Sequence, residues 1–195
     1  MRKIILASAS TYRGAQLQQL NVQFTQIPAA IDETPLNGEL PSVLCERLSR
    51  EKARRIAAEH IGIAVIGADQ VVEVAGQILG KPRNVADAHE QLRLQSGQTV
   101  YFHSGCAVAM YGVNQALQLH SGYNTTRVIF KHLNDNQIDD YLQYEQPYDC
   151  AGSFKSESLG ISLCNAIYSD DPSSLMGLPL ILTSRLLAEI NYNII

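Results

Sequence analysis

The period of the apolar positions changes several times along the chain, and each change marks an element. KIILA, beginning at Lys3, is a continuous apolar run that stops in small hydroxyl residues. It predicts a buried strand followed by a short helix through Gly14 to Leu20, with Ser10 or Thr11 at its start. VQFTQIP alternates as an edge strand does and stops at Pro28. From Ser42, the spacing of Leu44, Leu48, Ile56 and Ala57 puts one apolar stripe on a long helix, LCERLSREKARRIAAEH. IAVIGAD is expected to be a strand that ends at Asp69, and QVVEVAGQILGKP a hairpin turning at Ala75-Gly76.

Asn84 with Asp87 predicts a capping box for a helix that stops before Gly97. TVYFHSGCAVAMYG and ALQLHSGYNTTRVIFKHL predict two long strands joined through VNQ, the backbone of the sheet. Asn134 with Gln137 opens another helix, which Pro147 ends. CAGSFKSESLGISL reads as a loop entering a strand, and GLPLILTSRLLAEI as a closing helix. This order is mixed α/β with long antiparallel strands, and it shows no repeat or linker. One domain over residues 1–195 is expected, with room for two lobes on a shared sheet.

Composition narrows the function. With 46% hydrophobic and 17% charged residues the chain is an ordinary globular protein rather than a disordered one. A net charge of −4 gives no broad surface for coating phosphates, so nucleic acid is excluded as a partner and any bound anion is small and locally held. No apolar run approaches the roughly 20 residues of a membrane span, and KIILA is shorter than a secretory core of roughly 7–15. Cys45, Cys106, Cys150 and Cys164 form no C-x-x-C pair, which fits reduced thiols in a cytoplasmic protein, and His103 with Cys106 lacks the second ligand pair a zinc site needs.

Ser8, Ser10, Thr11 and Arg13 stand where a strand gives way to a helix. Free N–H groups, a helix dipole and a guanidinium fork together make an anion site there. On that segment alone, Ser10 as a simple cap and Arg13 as a solvated charge are the more economical reading. Further anchors change the balance. GQILGKP is one residue short of a Walker loop and has Pro82 where a Mg2+-binding hydroxyl belongs, but Lys81 can still reach a phosphate. Lys52 lies between Leu48 and Ile56 and is expected to face inward. Glu33, in an extended loop, and Asp69, at the expected strand end, can hold Mg2+ against a polyphosphate. Two carboxylates with Arg13, Lys52 and Lys81 supply the metal ligands and positive clamps that phosphoryl chemistry requires. No G-x-S-x-G elbow or strand-borne G-x-G-x-x-G competes with this reading.

LASASTYR, IDET, EKA, GADQ, LGKP, CAGSFKSE and LMGLPL occur in the order and approximate spacing of the Maf-like nucleoside triphosphate pyrophosphatases, which the chain resembles over nearly its whole length. It is most similar to the 7-methyl-GTP branch, because Gln70 follows Asp69 and SFKSE follows Ala151-Gly152. The resemblance implies an elongated mixed sheet with flanking helices and two lobes around a cleft, as in inosine triphosphate pyrophosphatase. It implies cleavage between the α and β phosphates, with Asp69 as the proton acceptor. Ser8, Arg13, Glu33, Lys52 and Lys81 would form the phosphate and metal site, and Tyr12, Gln70 and Glu157 would select the base, with Ser10 and Lys155 completing the substrate-binding set. A divalent cation, Mg2+ or Mn2+, would be the cofactor, and a homodimer the assembly.

Whether Asp69 serves mainly as base or as metal ligand stays open, since a carboxylate held by a cation is a weaker base. A Tyr12 ring stacked on cationic 7-methylguanine would gain about 0.5–2 kcal/mol. A pyrimidine triphosphate or another noncanonical nucleotide is the alternative substrate, and a non-enzymatic regulator of septum formation the alternative role. Three positions depart from the family pattern: Thr11 replaces a proline, Gly14 a second arginine, and Tyr12 a tryptophan.

Overall fold

The computed structural model describes residues 3–195, and its centre is the expected pair of long strands. β5 (Thr99–Tyr111) and β6 (Leu117–Phe130) run antiparallel from Thr99 opposite Ile129 to Tyr111 opposite Leu117. β3 (Ala64–Val74) lies on the other side of β5, from Val65 opposite Ala109 to Val74 opposite Val100. The expectation that this strand ends at Asp69 is wrong. Pairing with β5 carries it five residues further, and the pleat continues with Val71 on one face and Val72 and Val74 on the other.

The free edge of β3 is shared by two short strands. β1 (Ile4–Leu6) pairs with Ala64–Ile66 in parallel. β4 (Gln77–Leu79) pairs with Val72–Val74 after a tight turn at Ala75 and Gly76, whose φ values are +49° and +76°. Between them, Gly67 to Val71 has no strand on that edge, and a cleft opens there. β2 (Phe24–Gln26) extends the sheet beyond β1, and β7 (Cys164–Tyr168) beyond β6, giving seven strands in the order β2-β1-β3-β5-β6-β7 with β4 beside β3.

α2 (Pro41–Ala57) covers one face, where Ala53, Ile56 and Ala57 pack on Val65, Ala107 and Ala109. It starts with Pro41 at its first turn, where a missing N–H costs nothing, and it ends before the expected His60. On the opposite face, α1 (Thr11–Gln18) and α5 (Leu180–Glu189) bury Leu17, Leu186 and Leu187 against Ile66 and Val108. Further along that face, α3 (Val85–Gln95) and α4 (Asp135–Glu145) bury Leu92, Ile138 and Tyr141 against Val72, Phe102 and Val128. Two lobes result, one at each end of the sheet, with the β3 gap between them.

The caps follow the sequence with one exception. Ser10 accepts from the Arg13 N–H, and Asn134 and Gln137 close a reciprocal box. Asn84 accepts from the Asp87 N–H, but the Asp87 carboxylate turns to the Arg83 N–H and guanidinium instead of back to Asn84, so the expected box does not close.

Candidate active site

The cleft, about 820 Å³ in volume, is lined from both lobes and from both faces of β3. At its floor the Arg13 guanidinium takes the place of a missing strand. Its Nη1 donates to the Ala68 carbonyl at 2.8 Å, and its Nε to the Gly177 carbonyl at 3.0 Å. An unpaired edge carbonyl is thereby satisfied. Nη1 also approaches the Ser8 hydroxyl at 3.4 Å, and Ser8 Oγ accepts from the Ser10 N–H at 3.2 Å. Burial pulls the Arg13 pKa down, opposed by the charges of Asp69 and Glu33. The group stays cationic, because arginine starts so high.

On the α2 side, Lys52 faces inward as its position between Leu48 and Ile56 predicts. Its Nζ lies 2.6 Å from Asp69 Oδ1 and 2.6 Å from Glu33 Oε1. Lys52 and Asp69 are both buried, whereas the Glu33 side chain is 56% exposed. Two glycines permit this contact. A Cβ on Gly67 would fall 2.1 Å from the Ser49 carbonyl oxygen, and one on Gly105 would fall 2.3 Å from that of Cys45. α2 thus rests directly on the sheet at two points flanking Asp69.

Part of the cleft wall is aromatic and acidic. Tyr12 and Glu157 line it together with Asp149 and Cys150. Lys155 does not line the cleft. Its Nζ lies 5.8 Å from the Tyr12 ring centre and 3.7 Å from both Glu145 and Asp149. Burial acts to raise the Asp149 pKa, but the Tyr12 hydroxyl, the Lys155 ammonium and the Cys150 thiol outweigh it and hold the carboxyl below its ordinary range. Burial and the neighbouring Asp149 push the Cys150 thiol up to about 12, so it stays protonated and unreactive at neutral pH. Cys45 and Cys106 are buried, Cys150 and Cys164 half-buried, and all four are free thiols.

The structure brings Ser8, Ser10, Tyr12, Arg13, Glu33, Lys52, Asp69, Gln70, Lys81 and Glu157 to this one cleft and sets Lys155 just behind it. Gln70 lies on the face opposite Asp69. Its Nε2 donates to Ser104 Oγ at 3.0 Å and to the Ser174 and Leu175 carbonyls at 3.2 and 3.0 Å. The amide nitrogen is therefore engaged within the fold. Gly14 has a local reason: a Cβ there would lie 2.7 Å from Gln26 Oε1, in space the Gln26 side chain occupies while its Nε2 donates to the Ser8 and Ser10 carbonyls. Sequence reasoning missed Asp149 and the carbonyls of Ala68 and Gly177. A lone acid after a proline-tyrosine pair has no signature, and a carbonyl's role depends on which strand edge stays open.

The chemistry of the donor set accommodates a divalent cation. Glu33 and Asp69 converge on the Lys52 ammonium, each through one oxygen, and two carboxylates whose other oxygens are completed by substrate phosphates and water suit Mg2+ better than an all-protein cage. Among the described residues, no group of three or more His, Cys, Asp or Glu side chains forms such a cage.

Fold and cleft together define a two-lobed α/β protein that gathers cationic and acidic side chains at an interrupted sheet edge. The chain belongs to the Maf-like protein family, whose model matches residues 3–190. It is 48% identical over 187 residues to the 7-methyl-GTP pyrophosphatase of Bordetella pertussis, covering 96% of this chain and 92% of that protein. It is 45% identical over 194 residues to the 7-methyl-GTP pyrophosphatase of Xanthomonas oryzae pv. oryzae, covering all of both chains. The solved structure of a HAM1 protein from Coxiella burnetii aligns with 67% of this chain and 73% of its own at 19% identity, with a TM-score of 0.43. Among the described residues, no helix is long and apolar enough to cross a membrane.

Proposed function

We propose that this protein hydrolyses the α–β phosphoanhydride bond of 7-methyl-GTP, releasing 7-methyl-GMP and pyrophosphate. One observation carries the reading: a single cleft is lined by the cations Arg13, Lys52 and Lys81 together with Tyr12, Glu157 and Asp149. Full-length similarity to two 7-methyl-GTP pyrophosphatases supports it. The ligand these side chains fit is anionic in its phosphates and cationic in its base.

Arg13, already fixed by two carbonyls, and Lys81 hold phosphate oxygens and offset charge on the departing pyrophosphate. Lys52 orients Asp69 through Oδ1; among the described residues Oδ2 takes no hydrogen bond, and it accepts the proton of the attacking water. A divalent cation held by Glu33, and by Asp69 when its Oδ2 is not serving as the base, would supply further charge neutralisation at the phosphates. Tyr12 stacks on the base, and Glu157 accepts its N–H groups. We place the enzyme in the cytoplasm, where four free thiols persist reduced.

The test is pyrophosphate release from 7-methyl-GTP, GTP, dTTP and UTP with Mg2+, with Mn2+, and with chelator. The expected result is cation-dependent release, fastest from 7-methyl-GTP. No release from any nucleotide would overturn the enzyme reading, and equal rates on all four would remove the assignment of the base.

A further inference from the structure

Lys81 and Glu157, assigned above to the phosphates and to the base, both line the cleft but come from separate segments. Lys81 follows β4. Glu157 follows a turn in which Gly152 and Ser153 both have positive φ, +68° and +55°, a conformation serine rarely adopts unaided. One side chain of α3 touches both segments. Gln91 Nε2 donates to the carbonyl of Gly80, the residue before Lys81, at 3.1 Å, and Gln91 Oε1 accepts from Ser153 Oγ at 2.6 Å. The Gly152 N–H donates to the same Gly80 carbonyl at 3.1 Å, so the two segments are joined main chain to main chain and braced by one amide.

We infer that Gln91 is a positioning residue that fixes the spacing between Lys81 and Glu157 and thereby helps set base preference, an inference that rests on the function proposed above. The amide's two ends do different jobs: the donor sets the Lys81 segment, and the acceptor sets the Glu157 segment. Gln95, one helical turn on, holds the Gly152 carbonyl at 2.7 Å and keeps the turn anchored when Gln91 is changed.

Three variants separate the two ends. Gln91→Met removes both hydrogen bonds at similar volume. Gln91→Glu keeps the acceptor and loses the donor, and Ser153→Ala loses only the Ser153 bond. In amide hydrogen exchange on nucleotide-free protein, Gln91→Met should speed exchange in both 80–83 and 151–157. Gln91→Glu should speed the first segment alone, and Ser153→Ala the second alone. In kinetics, Gln91→Met and Ser153→Ala should each lower the 7-methyl-GTP to GTP ratio of kcat/KM by about three- to tenfold, through KM, with kcat within about twofold.

Unchanged exchange in both segments of Gln91→Met overturns the coupling, and an unchanged ratio despite faster exchange overturns its role in base preference. If Gln91→Met does not fold, the two single-bond variants decide by the same criteria. Absence of pyrophosphate release by the unaltered protein would be a failure of the proposed activity, and the exchange pattern would then decide the coupling alone.

Discussion

Gly105 stands directly opposite Asp69 in the β3–β5 ladder, and α2 meets the sheet over this glycine. A methyl group there would lie 2.3 Å from the Cys45 carbonyl oxygen, inside helix backbone that cannot swing aside as a side chain would. Gly105→Ala is therefore expected to destabilise the protein by about 1–3 kcal/mol or more, since overpacking forces backbone to move. It should also loosen the Lys52–Asp69 contact that rests on the same approach. Urea midpoints measure the first effect and pyrophosphate release the second. A variant as stable and active as the parent would show that α2 does not hold the site at this point.

Asp69→Asn keeps the size of the side chain and removes its charge. Lys52 retains Glu33 as a partner, so the stability cost is limited to about 1.5–3 kcal/mol, the worth of a charged hydrogen bond. Turnover should fall by about 10²–10⁴-fold if Asp69 takes the proton. Thermal melting and single-turnover pyrophosphate release distinguish the two losses. Near-normal turnover in a folded variant would remove Asp69 from the chemistry.

Elements set by local pattern were legible in the sequence. Ser10 and Asn134 could be read as caps, Ala75-Gly76 as the hairpin turn, and the apolar runs of β5 and β6 as the sheet backbone. The continuation of β3 past Asp69 was not, because Gln70, Val71 and Val72 depend on pairing with Ser104, His103 and Phe102, 30 to 34 residues away in sequence. Lys52 could be placed inward from its helical phase, but its two carboxylate partners could not be assigned, since Glu33 sits on a loop without periodicity. Arg13 could be read as a phosphate contact from residue type and position. That it also closes a sheet edge through Ala68 follows only from where β1 stops and β4 begins.

His103 provides a pH signature of the fold distinct from that of catalysis. Its Nδ1 meets Thr125 Oγ1 at 2.9 Å and its Nε2 meets Glu73 at 3.3 Å, and burial lowers its pKa below the ordinary 6.5 although Glu73 pulls the other way. The unfolded chain thus takes up a proton at this position before the folded protein does. Its contribution is complete above the unfolded value and is lost as pH falls from there toward the folded one. Urea midpoints between pH 7.5 and 5.5 should fall less steeply in His103→Gln than in the parent. Parallel profiles would mean that His103 titrates alike in both states.

Glu157 is exposed in the cleft lining and, among the described residues, accepts only a 3.5 Å hydrogen bond from the neighbouring Ser156 hydroxyl, which leaves its other oxygen to meet a base edge. Glu157→Gln removes the charge but keeps an acceptor oxygen, so general binding of the triphosphate survives and discrimination weakens. The ratio of kcat/KM for 7-methyl-GTP over UTP should fall by about tenfold, the difference of roughly 1.4 kcal/mol between a charge-assisted pair and a neutral one. A uniform loss on both nucleotides would point to a folding or general binding defect instead.

Gly14 lies inside α1, where alanine is ordinarily better by about 0.5–1 kcal/mol. Here the order should reverse. The added Cβ would sit 2.7 Å from Gln26 Oε1 and drive off an amide that holds the Ser8 and Ser10 carbonyls at 3.1 Å each. Losing those two bonds costs about 1–3 kcal/mol, more than the helix gains. Gly14→Ala is thus expected to destabilise the parent, whereas in a Gln26→Ala background, where the space is empty and the bonds are already gone, the same change should stabilise. Gly14→Arg should go further and raise KM for the triphosphate, because the Ser8–Ser10 loop loses its brace. Denaturant midpoints for the four members of the cycle check the reversal: additive effects would mean that Gln26 does not explain why glycine stands inside α1.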